Sequence, residues 1–342
     1  VKASVLDQSP VTEHGSPAES LSNTIDLAKL CDRTGYTRYW LAEHHGSRPF
    51  ASPAPEIMTT RVASATERII VGPGGVLLSH YHPLKVAEQF HVLEALFPGR
   101  IHLGIGRAPG ANGGGSRALR PDIDQAGPNG FQVRLTELQA LMGQAEFPAD
   151  HPYRQLHIMP TVDRTPPIWL LGTSPTSAKL AGALGLRYIF GHFGSPGHTR
   201  TAINSYHEHF RPNEHVPAPQ AAVGVGVYCA DTTEQAHHVF STQLLFRHRM
   251  NRNQLDPIPA PETALPLLAD IPEDGDTTPN PARSDYEWPR YFVGDPDQVS
   301  RALTDMTGEL GVDEIVVLST IYDHAARLRS YELLAKALGL GT

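Results

Sequence analysis

A chain of 342 residues is long enough to bury a sizeable core, either as one large α/β domain or as two smaller ones. Its formal net charge of −8 argues against a nucleic-acid partner, which needs a basic surface, and none of its apolar runs approaches membrane-spanning length. Cys31 and Cys229 lack metal-type spacing, and the start VKASVLDQSP has no charged-then-apolar signal pattern, so a reducing cytoplasm is expected.

A first strand is predicted over Ala3 to Leu6. Ser16-Pro17-Ala18-Glu19 then combines a capping box with proline at the first helical position, and an apolar stripe of Leu21, Ile25, Ala28 and Cys31 carries the helix to Gly35. A second strand, Arg38 to Ala42, ends in Glu43-His44-His45, and Ser52-Pro53 starts the next helix. The third strand, Ile69 to Leu78, is interrupted by Gly72, Gly74 and Gly75, and His82-Pro83 opens a third helix. The fourth strand, Ile101 to Ile105, lies within Pro98 to Gly110, PGRIHLGIGRAPG, and delivers a lone Arg107 to its end. The loop runs on through Gly113-Gly114-Gly115 to a helix from about Phe131 to Gly143 and a strand over Ile168 to Leu171. Ser174-Pro175 starts a helix, Leu186 to Phe190 is a strand, and Ser195-Pro196 starts another helix. Ala221 to Cys229 forms the seventh strand, followed by a helix capped by Asp231. Asp295-Pro296 caps a further helix, Glu314 to Leu318 gives the eighth strand, and Leu328, Tyr331, Ala335 and Leu338 mark the last helix.

About eight strand-helix units imply a parallel sheet, because each crossover returns the next strand in the same direction. The fold expected is α/β, a (β/α)8 TIM barrel with insertions, spanning residues 1–342 as one domain. A doubly wound sheet is the alternative. One segment breaks the rhythm: Asp256 to Pro289 holds eight prolines, eight acidic residues and one basic residue, Arg283. A segment of that kind is a functional lid or a disordered insertion, and a mobile lid or insertion is placed at about 253–290.

In a (β/α)8 barrel the site lies at the carboxyl ends of the strands. Those ends carry Gln8 and Ser9, Glu43-His44-His45, Gly74-Gly75, Arg107, Thr173-Ser174 and His192. Gly104-x-Gly106-x-x-x-Gly110 is one residue too long for a dinucleotide fingerprint, and its loop does not pass directly into a helix. Arg107 suits bidentate capture of a phosphate or carboxylate. Gly172-Thr173-Ser174-Pro175-Thr176-Ser177 joins glycine, hydroxyls and a helix start, which makes either a phosphate seat or a plain helix cap. A neutral imidazole at His44 or His45 can act as base or hydrogen-bond an anion, and only one of the two adjacent rings faces a pocket directly. His80-Tyr81-His82 has the spacing of metal-dependent barrel hydrolases but lacks a clear carboxylate partner, so no metal is assigned.

Taken together, WLAEHHG (Trp40 to Gly46), GPGGVLLSHYHPLKVAEQ (Gly72 to Gln89), FPGRIHLGIGRAPG (Phe97 to Gly110) and LLGTSPTSAKLAG (Leu170 to Gly182) resemble the bacterial luciferase-like monooxygenase family. The resemblance implies a (β/α)8 enzyme that uses reduced FMN and O2 to oxygenate a small organic substrate through a flavin peroxide. It implies His44, with His45, as catalytic; Gly74 and Gly75 as a cis peptide beneath the flavin; and Arg107, Thr173, Ser174 and Ser177 as the phosphate site. A carboxylate stands in the luciferase at the position of Thr173, and a cysteine at that of Gly106. No dinucleotide site is visible, so a separate flavin reductase is the expected source of reduced FMN. A homodimer is expected from relatives. The competing readings are a deazaflavin-dependent dehydrogenase of the same fold, a non-catalytic flavin-binding protein and a metal-dependent hydrolase.

Overall fold

Alternating strands and helices wind into a parallel barrel in the computed structural model, which describes residues 1–107, 113–119, 130–271 and 286–341. The strands are β1 (Lys2–Asp7), β2 (Arg38–Leu41), β3 (Ile70–Pro73), β4 (Val76–Leu77), β5 (Leu103–Gly106), β6 (Ile168–Gly172), β7 (Arg187–Gly191), β8 (Ala221–Cys229), β9 (Tyr291–Gly294) and β10 (Glu314–Leu318). The helices are α1 (Pro17–Thr34), α2 (Pro55–Ala63), α3 (Pro83–Leu96), α4 (Gly113–Leu119), α5 (Gly130–Leu141), α6 (Pro175–Ala183), α7 (Thr199–His209), α8 (Thr233–Asn251), α9 (Pro261–Ala269), α10 (Pro296–Leu310) and α11 (His324–Ala337). Neighbouring strands follow the order β3-β2-β1-β10-β8-β7-β6-β5-β4. β3 and β4 are two halves of one wall strand: β3 pairs with β2, β4 pairs with β5, and a parallel bridge from Val71 to Ile101 helps close the ring. With those halves counted once, and β9 set aside as an addition to the carboxyl half of β8, the wall has the eight positions of a (β/α)8 barrel.

Local chemistry starts and stops these elements. Ser16 Oγ accepts the Glu19 N–H at 3.2 Å, and Gly35 ends α1 with φ of 90°, a conformation that favours glycine. Asp295 and Gln298 form a reciprocal capping box on α10. Along the strands, alternate side chains divide the core in two. Ala3 and Val5 face outward into the apolar shell beneath the helices, whereas Leu6 faces inward with Trp40, Trp169, Ile189 and Val316. The amino-terminal end of the interior is closed by a polar plug. Arg38 pairs with Glu314, Ser4 Oγ donates to Glu314 at 2.5 Å, and Trp169 Nε1 donates to His102 Nδ1 at 3.0 Å. The Arg38 guanidinium also lies 4.8 Å from the Trp169 ring centroid. A second buried pair, Asp7 with Arg327 at 2.8 Å, ties the first strand to the last helix.

Several elements depart from the sequence reading. The third strand splits at Gly74-Gly75. The second helix starts at Pro55 rather than at Ser52-Pro53, because Pro55 takes the first helical position while the Ser52 carbonyl accepts the His44 N–H. Thr232, not Asp231, caps α8, since Asp231 is held by Arg329 at 2.6 Å. α4 begins at Gly113, where a continuing loop was expected: the Ser-Arg-Ala-Leu run that follows is helix-forming and the turn extends back through the glycines. β9 is a strand the pattern did not reveal. Within Asp256 to Pro289, α9 supplies regular structure, and Ile258 bridges to Thr12; the rest of the expected lid, residues 272–285, lies outside the described residues, as does Gly110. No helix of the described residues is long and apolar enough to cross a membrane.

Candidate active site

A cavity of about 330 Å³ opens at the carboxyl ends of the strands, lined by His44, Gly74, Gly75, Arg107, Thr173, Ser174 and Ser177 among others. A second cavity of about 370 Å³ adjoins it, and Gln8, His44 and Phe193 belong to both. His45 lines only the second. Both histidines thus line the second cavity, where only one of the two was expected to face a pocket, and His44 alone also reaches the first.

At one end of the first cavity lies the α6 amino terminus. Ser174 Oγ accepts the Ser177 N–H at 3.2 Å, and Ser177 Oγ donates to the Ser174 carbonyl at 2.7 Å and lies 3.0 Å from the Tyr188 hydroxyl. Gly172 is confined by the same group, since a Cβ there would collide with Ser177 Oγ. Arg107 lines the same cavity; it is exposed, its carbonyl accepts from Ser79 Oγ at 3.4 Å, and its side chain has no hydrogen-bond or ion-pair partner among the described residues. A cation, two hydroxyls and a positive helix end thus line one cavity, which is the chemistry of an anion site.

The middle of the cavity is floored by backbone. The Gly74-Gly75 peptide is cis. A Cβ on Gly74 would come within 2.7 Å of Trp40 Cβ and 2.9 Å of Leu6 Cδ1, and one on Gly75 within 2.7 Å of the Gly104 carbonyl oxygen. Only glycine fits either position, and the result is a smooth surface able to take a flat ring.

At the junction of the cavities the His44 ring packs on Phe50, with centroids 4.4 Å apart. Its Nδ1 is buried without a hydrogen-bond partner. Burial, helped by the nearby His45, lowers its pKa to about 4, so the imidazole is neutral at physiological pH. His45 is held differently, with Nε2 2.6 Å from Glu43 Oε1.

Two other strand-end residues do not reach the cavities. His192 is buried against Thr199 Oγ1 at 2.8 Å and the Pro289 carbonyl at 2.9 Å, and burial lowers its pKa to about 4. Ser9 turns back to Asp7 and Thr24. His82 caps α3, accepting the Leu84 N–H, and no group of three or more His, Cys, Asp or Glu among the described residues is placed to hold a metal ion. Sequence reasoning missed the second cavity's walls: Gln243, Phe246 and Met250 come from α8, Tyr291 from β9 and Phe50 from the segment before α2, and none carries a motif.

A parallel barrel whose cavity combines a cation, a helix amino terminus, a glycine-lined wall and a neutral imidazole could hold a phosphorylated, flat-ringed ligand. The chain belongs to the luciferase-like monooxygenase family, whose model matches residues 1–314. It is 37% identical over 336 residues to YceB of Bacillus subtilis, covering 98% of this chain and 99% of that one. It is 32% identical over 341 residues to the N-acetyl-S-alkylcysteine monooxygenase of the same organism, covering 99% and 98%. Among solved structures, apo-MsnO8 superposes with a TM-score of 0.91 at 42% identity, covering 99% of both chains. The same fold recurs at 20% identity in an FMN complex of the oxygenating constituent of 3,6-diketocamphane monooxygenase from Pseudomonas putida, with a TM-score of 0.69 and 98% and 97% covered. It recurs at 14% identity in an F420-dependent secondary alcohol dehydrogenase, with a TM-score of 0.67 and 98% of each chain covered.

Proposed function

We propose that this monooxygenase uses reduced FMN, delivered by a separate reductase, and O2 to oxygenate a small organic substrate held in the second cavity. The observation that carries this reading is that one cavity is lined by all three parts: the Arg107 and Ser174 to Ser177 groups, the Gly74-Gly75 backbone and the neutral His44 imidazole. These residues fit FMN. Arg107, Ser174 and Ser177, with Thr173 at the rim, would hold the phosphate, and Gly74-Gly75 over Trp40 and Leu6 would support the ring. When bound, reduced flavin supplies the two electrons that oxygen insertion from O2 requires.

The protein's own contribution is position, dryness and a neutral hydrogen-bonding group. His44 remains uncharged down to about pH 4, so its ring can hydrogen-bond a group lying between the cavities without repelling a proton from it. Phe50, Phe193 and Phe246 give the second cavity apolar walls that exclude water. The buried, unpaired Cys31 and Cys229 suit a reducing cytoplasm. A homodimer is part of the reading as well. Ile57 on α2 and Leu96 on α3 are 66% and 60% exposed, apolar side chains that a self-complementary contact would cover. Sedimentation equilibrium of the wild type and of Ile57→Ser with Leu96→Ser is expected to give a dimer and a monomer.

Anaerobic titration with reduced FMN, reduced riboflavin and reduced F420, each followed by admission of O2, tests the cofactor assignment. Reduced FMN is expected to bind most tightly and to be reoxidised on the protein. Tightest binding of F420 without O2 uptake would make the chain a deazaflavin-dependent dehydrogenase instead.

A further inference from the structure

The Glu43 side chain collects three neighbours from three parts of the barrel's carboxyl face. Its Oε2 accepts the Leu77 backbone N–H of β4 at 3.0 Å, and its Oε1 accepts the Tyr81 hydroxyl at 2.7 Å and lies 2.6 Å from His45 Nε2. The carboxylate is 4% exposed, so these contacts replace its hydration. Two of the three neighbours are fixed as donors. A backbone N–H has no other role, and Tyr81 keeps its proton because burial, and then the Glu43 charge, push its hydroxyl far above the ordinary range. A carboxylate only accepts, so the His45 nitrogen that faces it carries the hydrogen. The remaining ring nitrogen, Nδ1, has no hydrogen-bond partner among the described residues, and the ring lines the second cavity.

We infer that Glu43 is a positioning residue: by holding the Nε2 hydrogen of His45 it makes Nδ1 the nitrogen through which His45 takes up a proton from the contents of the second cavity. Uptake at Nδ1 gives an imidazolium whose charge is balanced by the Glu43 carboxylate, and the proton later leaves by the same nitrogen. The Leu77 contact extends the effect, because one carboxylate sets both the His45 ring and the strand that follows the glycine floor. The inference rests on the proposal that substrate occupies the second cavity, but it is testable without cofactor or substrate.

The test is nitrogen-15 NMR of histidine-labelled protein without added cofactor, with His45 assigned by its disappearance in His45→Gln. In the wild type, neutral His45 is expected to carry hydrogen on Nε2 and none on Nδ1. In Glu43→Gln the Leu77 N–H still needs an acceptor, so the amide oxygen turns to Leu77 and the amide nitrogen faces His45. Nε2 must then accept, and the tautomer is expected to invert, with loss of the Nε2 hydrogen signal and appearance of one on Nδ1. Tyr81→Phe keeps the carboxylate and is expected to keep the wild-type tautomer. An Nδ1-protonated wild type, a ring doubly protonated throughout the stable pH range, or a Glu43→Gln spectrum identical to wild type overturns the inference. Should Glu43→Gln fail to fold, the wild-type and Tyr81→Phe spectra decide by the same criterion. Reduced FMN titrated into the same samples separates the two ideas, since failure to bind it leaves the tautomers as measured.

Discussion

The two ends of the barrel interior are built from similar side chains and reach opposite chemical states. At the amino-terminal end Arg38, Glu314, Ser4, His102 and Trp169 satisfy one another. At the carboxyl end the buried His44 Nδ1 and Trp40 Nε1 have no partner, and neither has the exposed Arg107 side chain among the described residues. The two histidines make the contrast direct. Burial holds both neutral, yet His102 Nδ1 accepts from Trp169 Nε1 and from Arg38 Nε, whereas His44 Nδ1 accepts from nothing. An unpaired buried polar group costs about 1–3 kcal/mol, so a fold retains a cluster of them where something bound returns the interaction. Within the barrel interior, then, the strut is built of paired polar groups and the site of partly unpaired ones.

The largest effect is expected at the strut. Arg38→Ala leaves Glu314 buried without its cation, and urea denaturation is expected to show a loss of about 3–5 kcal/mol, with FMN affinity of the folded fraction unchanged. A parallel fall in FMN affinity would mean that the two ends are one unit. Acid titration is next in size. The pKa values of His44 and His192 are lowered in the folded state, so the stability each contributes is full above the unfolded value near 6.5 and is lost as pH falls toward about 4. Thermal melts from pH 7 to pH 4 are expected to lose on the order of 2–3 kcal/mol for each of them. A flat profile across that window would show the rings to be solvated.

Arg107→Ala tests the other end. FMN binding is expected to weaken by roughly 10- to 100-fold and riboflavin binding hardly at all, with stability changed by less than about 0.5 kcal/mol. Equal losses for both flavins would remove Arg107 from the phosphate site. The smallest effect is the most diagnostic in sign. His44→Phe removes an unpaired nitrogen and is expected to stabilise the protein by about 1 kcal/mol, whereas His102→Phe orphans Trp169 Nε1 and is expected to destabilise it by a similar amount. Chemical denaturation of the two variants side by side decides whether pairing separates the two ends.

How much of this was legible in the sequence follows from how local each signal is. Strand-helix alternation, serine and aspartate caps, and polar or glycine endings on apolar strands are read within a few residues, and they led to the barrel and to His44, Gly74-Gly75, Arg107 and the Thr173 to Ser177 turn. Direction and partnership were not readable. Ser9 and His192 stand at strand ends but turn into the wall, because their partners Thr24 and Pro289 are 15 and 97 positions away. β9 is four residues long in a proline-rich stretch, and its strand character comes from pairing with β8. The second cavity gathers Phe50 from the segment before α2, Gln243 and Phe246 from α8 and Tyr291 from β9, positions far apart in the chain, so no local pattern announced a pocket.

The close packing around Gly72, Gly74, Gly75 and Gly104 also bears on how such a protein can diversify. A side chain at any of them would strike the backbone or core of a neighbouring strand, so the floor offers evolution nothing to vary. Phe50, Phe246, Met250 and Leu255 across the junction are held by side-chain packing and can be exchanged for others of similar volume. Descendants of this chain are therefore constrained to keep the glycine-lined surface of the first cavity and free to redraw the chamber beside it.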